Sequence, residues 1–257
     1  MLKTQTLFEQ IDLVSIALDR LKAFEPAEGY YGAFSGGKDS CVIKELARLA
    51  GVKVDWHYNW TTVDPPELLQ FIKKHHADVE IHKPEMTMWQ LILKKRYPPT
   101  RMVRYCCEIL KEGGGSGRRV ITGVRWAESS KRAKRKSVER CFKDSSKTYV
   151  NPIIEWSDAD VWEFIHAHQL PYCSLYDEGF TRLGCIMCPM GGKNMIREAE
   201  RWPKIAQAFR RACDKALQKR IADGLPTKWE HGDDMFNWWM RGGVASKADP
   251  DQTVMFE

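Results

Sequence analysis

Gly29-Tyr30-Tyr31-Gly32-Ala33-Phe34-Ser35-Gly36-Gly37-Lys38-Asp39-Ser40 passes from a short aromatic and small-residue stretch into a glycine-rich turn. Beyond it, from Ser40 to Ala50, Val42, Ile43, Leu46 and Leu49 recur with helical spacing, and Gly51 stands where a helix C-terminus favours a left-handed residue. The expectation is strand, turn, helix. Working outward, Val52 to Tyr58 alternates like a half-buried strand. Asp64-Pro65-Pro66-Glu67 is a helix start, with a capping carboxylate and an early proline, for a helix running to about His75. Val79 to His82 and Val120 to Val124 read as further strands, and Asp158 to His168 as a helix with Ser157 as its N-cap. Met195 to Ala222 is mostly helical, with Pro203 near the start of its second part. Strands alternating with helices favour a parallel sheet. The fold class expected is therefore α/β, a parallel twisted sheet with flanking helices plus a C-terminal helical extension. The expected divisions are an N-terminal helical segment over 1–28, a nucleotide-binding α/β domain with the cysteines over 29–190, and a helical extension over 191–257. Met1 to Phe24 reads as an amphipathic helix with Ile11, Val14, Leu18 and Leu21 on one face, and little pattern remains from Gly242 onward, where partial disorder is expected.

The 257 residues are 43% hydrophobic, enough for a full-sized core. No stretch approaches the roughly 18 consecutive apolar residues of a membrane span, and the N-terminus has no small-residue cleavage site. A cytoplasmic protein with no membrane partner is expected. The net charge of +6 is unevenly spread: residues 94–147 hold 17 Lys+Arg against 5 Asp+Glu, so the remainder is net acidic. A basic segment in an acidic chain suggests a polyanionic partner such as nucleotide phosphates, tRNA or DNA. A solvated lysine-rich loop is the plainer reading of Lys131 to Lys136.

The loop Ser35 to Ser40 lies between a predicted strand and a predicted helix, where anions bind. Gly36 and Gly37 let the backbone turn tightly and bring its N–H groups close to an anion. The helix that follows adds the positive end of its dipole. Lys38 supplies a point charge, Ser35 and Ser40 supply hydroxyl donors, and Asp39 either holds Mg²⁺ or organises the turn. The four-residue spacer and Gly-Lys-Ser/Thr ending of a Walker A loop are absent.

Eight cysteines exceed what packing needs in a reducing compartment. Cys106-Cys107 and Cys185-Ile186-Met187-Cys188 form two pairs, with 78 positions from Cys107 to Cys185. A Cys-x-x-Cys turn aims two thiolates at one centre, and a second close pair completes four ligands. Zinc and iron–sulfur sites both accept such a set. Cys41 and Cys213 fall inside predicted helices and read as packing residues, while Cys141 and Cys173 have no pairing.

Ser-Gly-Gly-Lys-Asp-Ser after an aromatic strand resembles the PP-loop of ATP pyrophosphatases, in the branch that includes phosphoadenosine phosphosulfate (PAPS) reductase. That resemblance implies an adenine nucleotide, ATP or APS/PAPS, held by Ser35, Gly36, Gly37, Lys38, Asp39 and Ser40, with Lys38 and Asp39 in catalytic roles. Tyr105-Cys106-Cys107-Glu108 with Gly184-Cys185-Ile186-Met187-Cys188-Pro189 is similar to the pattern of cluster-bearing sulfonucleotide reductases. It implies a 4Fe–4S cluster on Cys106, Cys107, Cys185 and Cys188 beside the nucleotide site, with zinc the lesser alternative. Thr122-Gly123-Val124-Arg125, followed by Glu128-Ser129 and Arg132, resembles a family segment in which the glycine admits the nucleotide and the arginine pairs with phosphate or sulfate oxygens. Asn151 to Trp156 and Leu175 to Phe180 are also family-like; core packing is the expected role of Trp156, Trp162, Trp229, Trp238 and Trp239.

One departure shifts the reading. Reductases similar to this chain carry a catalytic cysteine in a C-terminal Glu-Cys-Gly-x-His segment, and here no cysteine follows Cys213. The phosphate loop keeps the full form expected of enzymes that cleave ATP. The resemblance thus implies ATP-dependent adenylation or sulfur transfer, with a sulfur donor or thiol-reductant protein as partner and tRNA or DNA as the acceptor suggested by charge. The alternatives are a sulfonucleotide reductase acting through Cys173 or Cys213, and a non-catalytic nucleotide-binding iron–sulfur accessory protein.

Overall fold

The computed structural model of the chain describes residues 3–5, 10–192 and 194–243. In chain order these form strands β1 (Lys3–Gln5) and β2 (Gln10–Asp12), helix α1 (Leu13–Ala23), β3 (Tyr30–Ala33), α2 (Lys38–Ala50), β4 (Val54–Asn59), α3 (Pro66–His75) and β5 (Glu80–His82). Then come α4 (Met88–Lys95), α5 (Tyr105–Leu110), β6 (Arg119–Ile121), β7 (Val138–Arg140), β8 (Thr148–Val150), α6 (Asp158–Ala167), α7 (Asn194–Arg201), α8 (Pro203–Ala222) and α9 (Gly232–Met240). They fall into two compact units. The first comprises Met1–Asn59, Pro65–His82 and Gly113–Gly184; the second comprises Trp60–Asp64, Lys83–Glu112 and Cys185–Glu257.

The first unit is built on a six-stranded sheet in the order β5-β4-β3-β6-β8-β7. The strands from β5 to β8 are parallel and β7 is antiparallel to β8. Tyr30, in the centre, is fully buried and donates its hydroxyl to the Leu21 carbonyl at 2.8 Å, which ties α1 to the sheet. Trp56 and Tyr58 of β4 are buried while Asp55 before them is exposed and His57 between them is half-buried, the period of two that a strand imposes. Helix α2 ends as expected at Gly51, in the left-handed region at φ +72°, and Ser157 caps α6 with its hydroxyl on the Asp160 N–H. The α/β class, with a mostly parallel sheet flanked by helices, stands as expected.

Two local expectations are corrected. Residues 3–5 and 10–12 pair as an antiparallel hairpin, so the first helix begins only at Leu13, capped by the Asp12 carboxylate on the Val14 and Ser15 N–H groups. Its buried face is Leu13, Ala17 and Leu21; Val14 and Leu18 lie half-buried beside it, and the Ile11 side chain lies outside the described residues. Asp64 does not cap α3, whose N-cap is Pro65; its carboxylate accepts from the Thr61 N–H at 2.7 Å instead. An unexpected hairpin, β7–β8, begins near the end of the basic segment. The expected disorder from Gly242 onward falls almost wholly on residues 244–257, outside the described residues.

The second unit contains the expected C-terminal helices, broken at Trp202 where Pro203 opens α8. Helix α8 packs on α4, α7 and α9. Trp89, Phe209 and Trp239 form an aromatic centre with ring centroids at 4.9 and 4.6 Å. The Trp239 indole donates to the Pro99 carbonyl at 2.6 Å. Among the described residues no helix is long and apolar enough to cross a membrane.

Candidate functional sites

The phosphate loop joins β3 to α2, so its conformation is dictated by a buried strand on one side and a helix start on the other. Gly36 has φ +72°, and a Cβ there would stand 2.7 Å from Leu68 Cδ1 and 2.9 Å from Ile72 Cδ1 of α3; only glycine fits. The Ser40 hydroxyl donates to the Gly37 carbonyl at 2.7 Å and the Gly37 N–H donates to Ser35 Oγ at 3.3 Å, closing the turn on itself. Helix α2 starts from Gly37, which has no side chain to cap the first-turn amides. The Lys38 N–H is met by the Tyr176 hydroxyl at 2.9 Å.

Lys38 and Arg125 are brought together, but in an unexpected setting. Both are buried, at 4% and 2% exposure. The Lys38 ammonium lies 2.9 Å from Asp158 and 3.3 Å from Asp39. Arg125 places Nε 2.6 Å from Asp39 and Nη2 3.0 Å from Asp158, and donates Nη1 to the Trp156 carbonyl at 3.3 Å. Two cations thus share two carboxylates. Burial works against the Asp158 charge, but the Lys38 ammonium and the Arg125 guanidinium hold its carboxyl below the ordinary value. Asp39 turns one oxygen toward Arg125 and the other toward Lys38. Gly123 serves packing: a Cβ there would lie 2.9 Å from Asp39 Cβ and 3.2 Å from its carbonyl carbon. Nothing in the sequence signals Asp158 as the fourth member of this network, because a first-turn aspartate after a serine cap is ordinary helix chemistry.

The four paired cysteines all belong to the second unit. Cys106 and Cys107 occupy the first turn of α5. Between Cys185 and Cys188, Ile186 and Met187 are buried at 1% and 0%, while both cysteines are half-exposed. The turn is pinned by the Ile186 N–H on the Val63 carbonyl at 2.8 Å, and Met187 takes φ +56° with its N–H on Glu198 at 2.5 Å. Cys185 Sγ donates to Thr61 Oγ1 at 3.4 Å. The hydrogen bond between Cys106 and Cys107 raises the first thiol and lowers the second, so one proton serves both sulfurs; Lys111 and Arg104 assist the Cys107 thiolate. Desolvation opposes the Lys111 charge, but Cys185 and Asp64 raise its pKa above the ordinary lysine value. Thr61 and Lys111 carry no signal in the sequence, since a lone lysine four residues after a cysteine makes no pattern, and Asp64 reads there only as a helix cap. Cys41, Cys173 and Cys213 are buried at 4%, 1% and 0%, and Cys141 is half-buried. Trp156 and Trp239 are core residues, at 1% each, whereas Trp229 and Trp238 are half-buried against each other.

Relatives place these features in a lineage. Over 221 residues the chain is 31% identical to an uncharacterized protein of Methanocaldococcus jannaschii, covering 77% of this chain and 45% of that one. It is 32% identical over 176 residues to an adenosine 5'-phosphosulfate reductase of Oceanobacillus iheyensis, covering 61% and 69%. The chain thus spans about half the length of its archaeal relative. Among solved structures, the phosphoadenylyl-sulfate reductase of Candida auris superimposes with a TM-score of 0.51 at 18% identity, over 68% of this chain and 88% of that one, a likeness of fold. The Phosphoadenosine phosphosulfate reductase domain pattern matches residues 30–191, a span that includes the strand, the glycine-rich turn, Arg125, Asp158 and all four paired cysteines. The chain therefore belongs to the PAPS reductase-like family of the PP-loop ATP pyrophosphatase superfamily.

Proposed function

We propose that this protein is an ATP-cleaving enzyme that adenylates an acceptor and transfers sulfur to it. The observation that carries this reading is the intact Ser35–Ser40 loop, seated at an uncapped helix start with Lys38 and Arg125 buried beneath it. The entering phosphates take Lys38 from Asp158, which is 64% exposed and free to turn toward solvent. An acceptor oxygen then attacks the α-phosphate, the bond to the bridging oxygen of the β-phosphate breaks, and the loop amides and Lys38 stabilise the departing pyrophosphate. Sulfide delivered by a donor protein next attacks the activated carbon, and the carbon–sulfur bond forms as the carbon–oxygen bond to AMP breaks. AMP leaves with its electron pair and the proton of HS⁻ passes to solvent, leaving sulfur on the acceptor.

The adjacent Cys106–Cys107 pair departs from the spaced pairs that structural zinc mostly uses, and the four cysteines make an all-cysteine set of the kind a 4Fe–4S cluster accepts. Cys106, Cys107, Cys185 and Cys188 would hold it, with Lys111 offsetting thiolate charge, and the cluster would supply an iron site for sulfur. The strip from Lys131 to Lys143 supports a nucleic-acid acceptor: Lys131, Lys134, Lys136 and Arg140 are exposed and Phe142 projects fully into solvent. Other cations of the basic segment serve the fold, among them Arg118 on Asp55 and Arg119 on the Phe24 carbonyl.

The decisive experiment incubates the anaerobically prepared chain with ATP and tRNA or DNA and measures pyrophosphate. Release that Lys38→Ala abolishes supports the proposal; tight ATP binding with no release for any acceptor favours an accessory role. The second reading, sulfonucleotide reduction, draws on the reductase relatives. It is disfavoured because Cys173 and Cys213 are both buried, and sulfite release from APS or PAPS with a thiol reductant would reinstate it.

A further inference from the structure

We propose that His57, Glu80 and His82 form a zinc-binding site on the sheet of the first unit, separate from the phosphate loop and from the cysteines. The site follows from strand register. His57 of β4 stands opposite Glu80 of β5 in a parallel pair, and His82 lies two residues beyond Glu80, so all three side chains leave the same face. One ligand atom from each lies within 4.8 Å of the other two, and among the described residues no other three His, Cys, Asp or Glu side chains converge in this way.

The distances are those of groups gathered around a centre. His57 Nδ1 lies 2.8 Å from His82 Nε2 and 3.4 Å from Glu80 Oε2. One proton on that nitrogen bonds well to only one of these two neighbours. A zinc ion serves all three, since tetrahedral ligation at about 2.0–2.1 Å places ligand atoms roughly 3.3 Å apart. Two imidazoles and a carboxylate are the donors that zinc accepts.

The ligands are also positioned and reachable. Tyr31 stacks on the His57 ring at 4.1 Å and 11°, which fixes the plane of the imidazole, and strands hold ligands more firmly than loops do. His57 is 14% exposed, His82 39% and Glu80 66%, so an ion enters from solvent and keeps a water as fourth ligand. Strand β5 is three residues long, at the sheet edge, and pairs only with β4. Zinc bound by His57 on one strand and by Glu80 and His82 on the other clamps that edge.

Calorimetric titration of the full chain with ZnCl₂ tests this. One equivalent is expected that Cys185→Ser retains and His82→Ala loses, and Glu80→Gln weakens it by about tenfold or more. His82 lies on the exposed edge, so its replacement leaves the core intact. Zinc should raise Tm in the unaltered chain and not in His82→Ala. Co²⁺ in its place should give visible absorption with no thiolate-to-cobalt charge-transfer band. An equivalent that survives His82→Ala, one that shows thiolate charge transfer, or no zinc bound outside the cysteines would each overturn the site.

Discussion

The phosphate loop and the cysteine group answer the problem of placing charge in a protein in opposite ways. Around the loop, two buried cations are matched by two carboxylates, and every contact is a short ion pair or hydrogen bond. Around the cysteines, one pair of thiols sits on a short helix and the other on a turn; Cys106 and Cys107 are hydrogen-bonded to each other, and Lys111 lies near Cys107 and Cys185. The first arrangement is an electrostatic unit whose members depend on one another. The second consists of side chains whose backbone is fixed by other means, such as the buried Ile186 and Met187. Stability should therefore be concentrated in the first and ligand capture in the second.

The strongest way to break this contrast is Arg125→Ala. Removing one partner of a buried ion pair costs about 3–5 kcal/mol, and solvent around Asp158 places the expected loss near the lower figure. Urea denaturation measures it, and a loss below about 1 kcal/mol would mean that the network does not hold the loop.

A pH experiment sharpens the electrostatic side. His76, buried between Phe34 and Phe71, is pushed down to about 4 by burial and then by the Lys44 ammonium. The unfolded chain protonates this imidazole near pH 6.5, so its contribution is whole above that value and is lost as pH falls toward 4. The loss is on the order of 2–3 kcal/mol. His76→Gln should flatten the slope of unfolding free energy across that window, whereas Asp158, held below its ordinary value, weakens the fold only at lower pH. An unchanged slope would move the sensitivity elsewhere.

A smaller effect is expected from Gly123→Ala, where the new methyl meets Asp39; overpacking of this kind costs about 1–3 kcal/mol. The Tm of that variant, compared with Gly51→Ala, where a Cβ has open space but φ is +72°, separates crowding from backbone strain. The least change in stability belongs to Cys185→Ser, within about 1 kcal/mol, with bound iron and sulfide lost on chemical analysis. If that variant unfolds, the cysteines are part of the scaffold after all.

Much of the framework was legible because its signals are local. The apolar periodicity after Ser40, the Gly51 stop, the Ser157 cap and the proline at 203 each act within a few residues, and each appears where its chemistry places it. Reading failed where a local pattern was ambiguous. Residues 3–5 and 10–12 fall in a stretch with helix-like composition yet pair as antiparallel strands, since short segments obey their partners more than their propensities. The β7–β8 hairpin went unread because each of its strands is only three residues long and pairing with β6 decides its place.

By itself the sequence determined the strand–loop–helix at residues 29–51, the parallel α/β class, the two cysteine pairs and the family they belong to. Tertiary structure alone decided what Lys38 and Arg125 face. Asp39 and Arg125 are 86 positions apart, and Asp158 is 33 beyond Arg125. It also decided that His57 meets Glu80 and His82 and that Cys173 and Cys213 are sealed in the core. The reason is range. Turns, caps and helical periodicity are set by neighbours along the chain, but an ion pair or a metal site requires that particular strands lie side by side in one register, and that register is settled only when the sheet assembles and its core is buried.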